Sequence, residues 1–174
     1  GADEETLESF CYWLNEVEYP RPVDVHHEKR TGIESRAVSV AIPLGLNSHG
    51  GKLFAYLPVW EETGLPFLIN ADFLLVSSRE GIREDEAWNK WLRDHIAETY
   101  CTAFLALLKS PVLPLETRLL AYGSIPLQSQ RSFLASVVDS IRERLSNQDC
   151  VLVLPDNSLA VPQSARLCPQ NLRV

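Results

Sequence analysis

The apolar positions of this chain change period more than once. Residues 4–17 set Leu7, Phe10, Cys11, Leu14 and Val17 at helical spacing, which predicts an amphipathic helix ended by Pro20 and Pro22. Residues 20–35, with two prolines, His26, His27 and mixed charges, read as a loop. Residues 36–44 alternate, 45–51 carry turn chemistry, and 52–59 form a second extended run rich in aromatic and apolar side chains, so this stretch predicts a hairpin. A break at 61–66 leads to a third extended segment over 67–77, bent at Asn70, Ala71 and Asp72. From Asp85 the spacing turns helical through Trp88, Trp91, Leu92, Ile96, Tyr100, Phe104 and Leu108, with acids at its start and Lys109 at its end, as the helix dipole favours. Pro111 and Pro114 stop that helix. A short helix around 115–122, an amphipathic helix over 129–146, an apolar strand over 150–154 and a return strand from Leu159 complete the pattern. The result is an α+β fold, a mixed or antiparallel sheet packed by one long helix and a second helix. The 174 residues make one domain, residues 1–174, with a candidate subdomain joint near 110–115.

Composition adds ordinary globular values, 45% apolar and 22% charged, which exclude a disordered tail, a low-complexity fibre and a disulfide scaffold. Sixteen Lys and Arg against 23 Asp and Glu give a net charge of -7, and residues 1–34 hold nine of the acids. Such a surface repels phosphate backbones, which argues against a nucleic-acid partner. No apolar run approaches the ~20 residues of a membrane-spanning helix. The first residues have neither a basic nor an apolar leader region and no initial Met, so the expectation is an excised or processed segment. Cys11, Cys101, Cys150 and Cys168 stand singly, which predicts free thiols in a reducing, cytoplasmic setting.

Several constellations favour plain readings. Residues 45–53 nearly spell a phosphate loop, but an extra glycine precedes Lys52 and Leu53 supplies no hydroxyl for magnesium. That loop must also pass from a strand to a helix, whereas this one joins two strands, so a turn is the better reading. His26 and His27 lack a His or Cys partner at ligand spacing and read as solvated loop residues. His95, on the stripe side of the long helix, reads as a partly buried imidazole, and Trp88 and Trp91 as core. Hydrolytic triads find no support, since no Gly-x-Ser-x-Gly elbow is present.

What remains is the polar stretch Ser77, Ser78, Arg79, Glu80, Gly81, Ile82 and Arg83, between an extended segment and the long helix. An arginine there has two readings: a surface salt bridge with Glu80, Glu84 or a carboxylate at the helix start, or a planar fork aimed at a phosphate on another domain.

The ordered blocks carry a resemblance. Residues 37–44 (Ala-Val-Ser-Val-Ala-Ile-Pro-Leu), 51–58 (Gly-Lys-Leu-Phe-Ala-Tyr-Leu-Pro), 63–73 (Thr-Gly-Leu-Pro-Phe-Leu-Ile-Asn-Ala-Asp-Phe), then Ser78-Arg79 and Trp88-Asn89, resemble the segment after the ATP-binding domain in sacsin-like and No Vein-like proteins, relatives of the ninety-kilodalton heat-shock chaperone. The likeness is dense over 37–108 and looser to the end, where residues 153–165 are similar to a closing strand pair. It implies a middle, transducer-like domain of a GHKL-type ATPase, chaperone-like in fold. There, Ser78 and Arg79 would reach the γ-phosphate of ATP, with Mg, held by a preceding domain, and Arg83 would be a second candidate. One departure is Leu68, where sacsin-type repeats often carry His. The implied partners are the adjacent ATP-binding domain and a protein client, with no membrane, and the isolated segment binds no cofactor itself. A non-catalytic protein interaction module is the alternative reading, and no acid, base and nucleophile set supports a free-standing enzyme.

Overall fold

The computed structural model describes residues 10–45, 51–78, 80–129, 131–153 and 156–166. Five strands form one mixed sheet: β1 (Tyr12–Pro20), β2 (Ser35–Pro43), β3 (Lys52–Ala55), β4 (Leu57–Glu62) and β5 (Leu68–Ala71), in the order β1-β2-β5-β3-β4. All neighbours are antiparallel except β3 and β5, which run parallel. Helices α1 (Ala87–Lys109), α2 (Leu115–Leu120) and α3 (Ser132–Ser146) follow, and a two-stranded pair, β6 (Val151–Val153) and β7 (Ser158–Ala160), completes the described structure. The α+β class expected from the sequence is the class observed.

α1 spans 23 residues and lies against β1, β2 and α3. Its Trp88, Leu92, Ile96, Tyr100, Phe104 and Leu107 are wholly buried, as are Val38 and Ile42 on the facing side of β2. Each such side chain contributes roughly 1.5–3 kcal/mol by leaving water, so this layer dominates the stability of the fold. α3 closes the other flank of α1 with Phe133, Leu134, Val137, Val138, Ile141 and Leu145, the stripe its sequence predicts. It begins three residues later than the pattern suggests, because Ser129 turns back and its Oγ accepts from Arg131 N at 3.1 Å. Tyr122 ties the small pair to the body: its hydroxyl donates to Cys150 O at 2.7 Å and accepts from Leu152 N at 3.0 Å.

Two expectations are corrected. The described part of the predicted N-terminal helix is strand β1, paired with β2 from Tyr12↔Pro43 to Pro20↔Ser35. The physical reason is a period of two that the helical spacing masked: Trp13, Asn15, Val17 and Tyr19 turn inward while Leu14, Glu16 and Glu18 face out. Tyr19 OH meets Thr99 Oγ1 at 2.9 Å and Asn15 Nδ2 donates to Thr99 O at 3.3 Å, so two polar residues of β1 fasten it to α1. Residues 1–9 lie outside the described residues.

The second correction concerns the hairpin. β2 and β3 are not neighbours, because β5 lies between them and pairs with both. The hairpin partner of β3 is β4, reached through Tyr56, which has a φ of 63°. A near-continuous run over 52–59 therefore hides a reversal made by a residue type that seldom adopts that conformation.

Gly51, from the near-match to a phosphate loop, has a packing role instead. It leads into a strand, and its carbonyl accepts from Thr63 N at 3.0 Å and Thr63 Oγ1 at 2.9 Å. A Cβ at Gly51 would press on the Leu65 carbonyl and stand 2.6 Å from Phe67 O, both backbone atoms that cannot turn aside. Gly51→Ala is therefore expected to cost about 3 kcal/mol or more, read as a lower urea midpoint, whereas Gly45→Ala, with nothing near its added carbon, changes little.

Candidate functional site

The segment between β5 and α1 is fixed at its base and exposed at its tip. Leu75 and Ile82 form an isolated antiparallel bridge, flanked by Val76 N to Gly81 O at 3.0 Å and Arg83 N to Leu74 O at 2.9 Å. Ser77, Ser78 and Glu80 are exposed beyond that bridge, and Arg79 lies outside the described residues. Ile82 is buried, which plants one leg of the loop in the core.

Asn89 holds the base. It is wholly buried in the first turn of α1. Its Oδ1 accepts from Leu74 N at 2.8 Å, while Nδ2 donates to Leu74 O and Arg83 O, each at 2.9 Å. Beside it, Trp88 Nε1 donates to Asp72 O at 2.8 Å. The Asp72 carboxylate, also buried, takes a two-point contact from Arg30 at 2.5 and 2.7 Å and a further bond from Arg36 Nε at 2.8 Å. A buried carboxylate is tolerable only with such charged donors around it.

Of the residues singled out in the sequence, Ser78 sits at the exposed tip and Arg83 at the base, on the leg that enters α1. The Arg83 guanidinium is 42% exposed and lies 3.5 Å from Glu86, the salt-bridge reading of an arginine in this stretch. Glu84 pairs instead with Arg131 of the α3 approach. The sequence reading missed Asn89 and Asp72. The available signal was a polar residue on the buried stripe of a helix at Asn89, and an acid embedded in the apolar run 71–76 at Asp72.

Other candidates take structural places. His27 Nδ1 accepts from Lys29 N at 3.3 Å and so caps the short turn Glu28–Arg30. Trp88 and Trp91 are core. His95 is stacked on Tyr19 with ring centroids 3.8 Å apart, and its pKa is lowered from 6.5 chiefly by burial, against the raising effect of Glu98 and Asp94. Burial also pushes the Cys101 thiol up to about 11 and raises that of Cys150, so neither is a thiolate at neutral pH. Among the described residues, no group of three or more His, Cys, Asp and Glu could hold a metal ion, and no helix is long and apolar enough to cross a membrane.

A mixed sheet covered by a long helix, with a pinned loop at the helix start, is the class these features define. The chain is similar to the protein NO VEIN of Arabidopsis thaliana, 30% identical over an alignment of 148 positions that covers 76% of this chain and 5% of that protein. The chain thus spans a small fraction of that relative, and the similarity supports the sacsin-like, No Vein relation carried by the ordered blocks. No family model matches the chain, and no solved structure matches it.

Two outcomes follow from this geometry. Asn89→Leu leaves Leu74 N without a partner and takes one of two donors from each of the Leu74 and Arg83 carbonyls, an expected loss of about 2 kcal/mol, with faster amide exchange at residues 74–83 than elsewhere; uniform exchange would show that the clamp does not localise the loop. His95 resists protonation when folded, so stability falls as pH drops through 6.5, where the unfolded ring takes up its proton first. His95→Phe, which keeps a ring on Tyr19, should flatten that part of the profile in urea midpoints measured between about pH 7.5 and about pH 5.5.

Proposed function

We propose that this chain is a middle, transducer-like segment of a sacsin-like ATPase, and that it presents Ser78 and Arg79, with Arg83 behind them, to ATP and Mg held by a preceding domain of the same parent protein. The observation that carries the reading is a loop whose tip is exposed while its base is locked onto the first turn of α1 by Asn89. A group that must meet a phosphate on another domain needs both properties, because a guanidinium stabilises developing charge only if its position is set beforehand. Among the described residues of the tip, the hydroxyls of Ser77 and Ser78 stand out from the body beside the exposed Glu80 and can donate to phosphate oxygens.

The similarity to NO VEIN and the ordered blocks through Ser78, Arg79, Trp88 and Asn89 support placing the loop at this point of such a chain. Closure of the preceding domain over the tip would push on Leu75 and Ile82, and through them on α1. In that way nucleotide binding reaches the surfaces that meet a client or partner. No hydrolytic machinery is assigned to this segment by itself.

The test joins the preceding domain to this chain and measures ATP turnover. Arg79→Ala is expected to lower the rate by ~10²-fold or more with unchanged melting temperature, the usual scale for removing one transition-state donor. An unchanged rate at unchanged stability would remove Arg79 from the mechanism. Mixing the separate domains with a non-hydrolysable nucleotide gives the second readout: association that requires nucleotide supports the reading, and association indifferent to it favours a plain interaction module.

A further inference from the structure

A cleft of about 350 Å³ opens beside the pinned loop, between the turn Glu28–Arg30, the β3–β4 corner and residues 72–77. Three features set it apart from the rest of a chain with net charge -7. First, its lining concentrates cations, with Lys29, Arg30 and Arg83 against a single acid, Asp72. Asp72 supplies one negative charge to two guanidinium groups, Arg30 and Arg36, and Lys29 makes no ion pair among the described residues. Second, His27 also lines the cleft, and with Nδ1 taken by Lys29 N it is left with Nε2 as a donor.

The third feature is Tyr56. It stands at the rim, 72% exposed, with a φ of 63°. An aromatic residue in the left-handed region costs on the order of 1 kcal/mol or more, and glycine would relieve that cost. The backbone there is held by Tyr56 N donating to Asn70 Oδ1 at 3.1 Å, a bond that glycine would make equally well. Nothing in the packing requires the phenol ring, because most of its surface is in water. Strain kept at a solvent-facing aromatic is the arrangement of a ligand site where, as here among the described residues, it stands beside Lys29 without an ion pair, Arg30 sharing its acid with Arg36, and the Arg83 guanidinium held only by a 3.5 Å contact to Glu86; the volume falls within the range of small-molecule clefts.

We propose that this cleft binds a small phosphorylated ligand carrying a planar ring, with Lys29, Arg30 and Arg83 holding the phosphate and Tyr56 covering the ring. Lysine supplies a mobile point charge, and arginine supplies fixed N–H donors for tetrahedral oxygens. The flat face of Tyr56 adds preference for a ring over bare phosphate. The site does not depend on the reading of the loop tip: Arg83 is the ligand-holding residue common to both, and Ser77 only borders the cleft.

The test titrates the chain alone, without nucleotide, with inorganic phosphate and with phenyl phosphate at low salt, followed by amide NMR shifts. Saturable binding is expected at residues 27–30, 56 and 72–77, with phenyl phosphate about fivefold tighter than phosphate, the scale of one aromatic contact. Lys29→Glu, at an exposed position, should weaken both ligands at least about tenfold. Tyr56→Gly should fold at least as well as the parent chain, retain phosphate binding and lose the preference for phenyl phosphate. Absence of saturation below about 10 mM would overturn the proposal. So would a Lys29→Glu variant of parental affinity, or a Tyr56→Gly variant that keeps the preference. Neither variant alters residues 77–80, and the titrations use the chain alone, so their failure and a failure of the Arg79 experiment are separate results.

Discussion

Asn89 commits its whole side-chain amide to the backbone that precedes its helix. Both amide hydrogens and the carbonyl oxygen are spent on Leu74 and Arg83, in a place water does not reach. The start of α1 has no side-chain cap at Glu86, so the polar group of its first turn serves the upstream chain instead of the helix end. The rest of the site inherits its position from this exchange. Trp88 through Asp72 O, and Thr99 through Asn15 and Tyr19 of β1, register α1 on the sheet, Asn89 registers the loop on α1, and the base of the loop therefore has a set place relative to β5.

Much of the fold was legible because its strongest elements bury one face over many residues. α1, α3 and the β6–β7 pair fall where apolar spacing puts them, since a stripe as long as that of α1 must be covered, here by the sheet on one side and α3 on the other. β1 was not legible, because Leu14 and Val17 satisfy a helical period while Trp13, Asn15, Val17 and Tyr19 satisfy an extended one. What decides between them is β2, whose outer edge needs a partner for its backbone groups, and no local count of apolar residues contains that demand. The same holds for the β3–β5 pairing, which joins strands through a parallel contact that no short turn announces.

The candidate site was legible as a place and not as a construction. The stretch from Ser77 to Arg83 stands out in sequence as mostly polar between apolar elements, and the structure puts its described residues on a loop with a fixed base. The fixing residues, Asn89 and Asp72, look unremarkable in sequence because their importance comes from burial. A polar side chain that leaves water must find partners, and those partners are backbone groups and arginines distant along the chain.

Charge distribution links the two sides of the molecule. Acids crowd the first part of the chain, yet on β1 they have local work: Glu16 accepts from Ser39 Oγ at 2.7 Å, and Glu18 accepts from Ser35 across the same strand pair. Cations gather instead around Asp72, at the end of the central strand β5, where one buried carboxylate draws in Arg30 and Arg36. A single acid at the end of the central strand thus holds two arginines in an otherwise acidic chain, and one of them, Arg30, lines the cleft with Lys29 close to the base of the loop. Because Arg30 is already held by Asp72, it loses little further freedom when an anion approaches, which is the condition under which charge on a protein surface becomes selective rather than merely attractive.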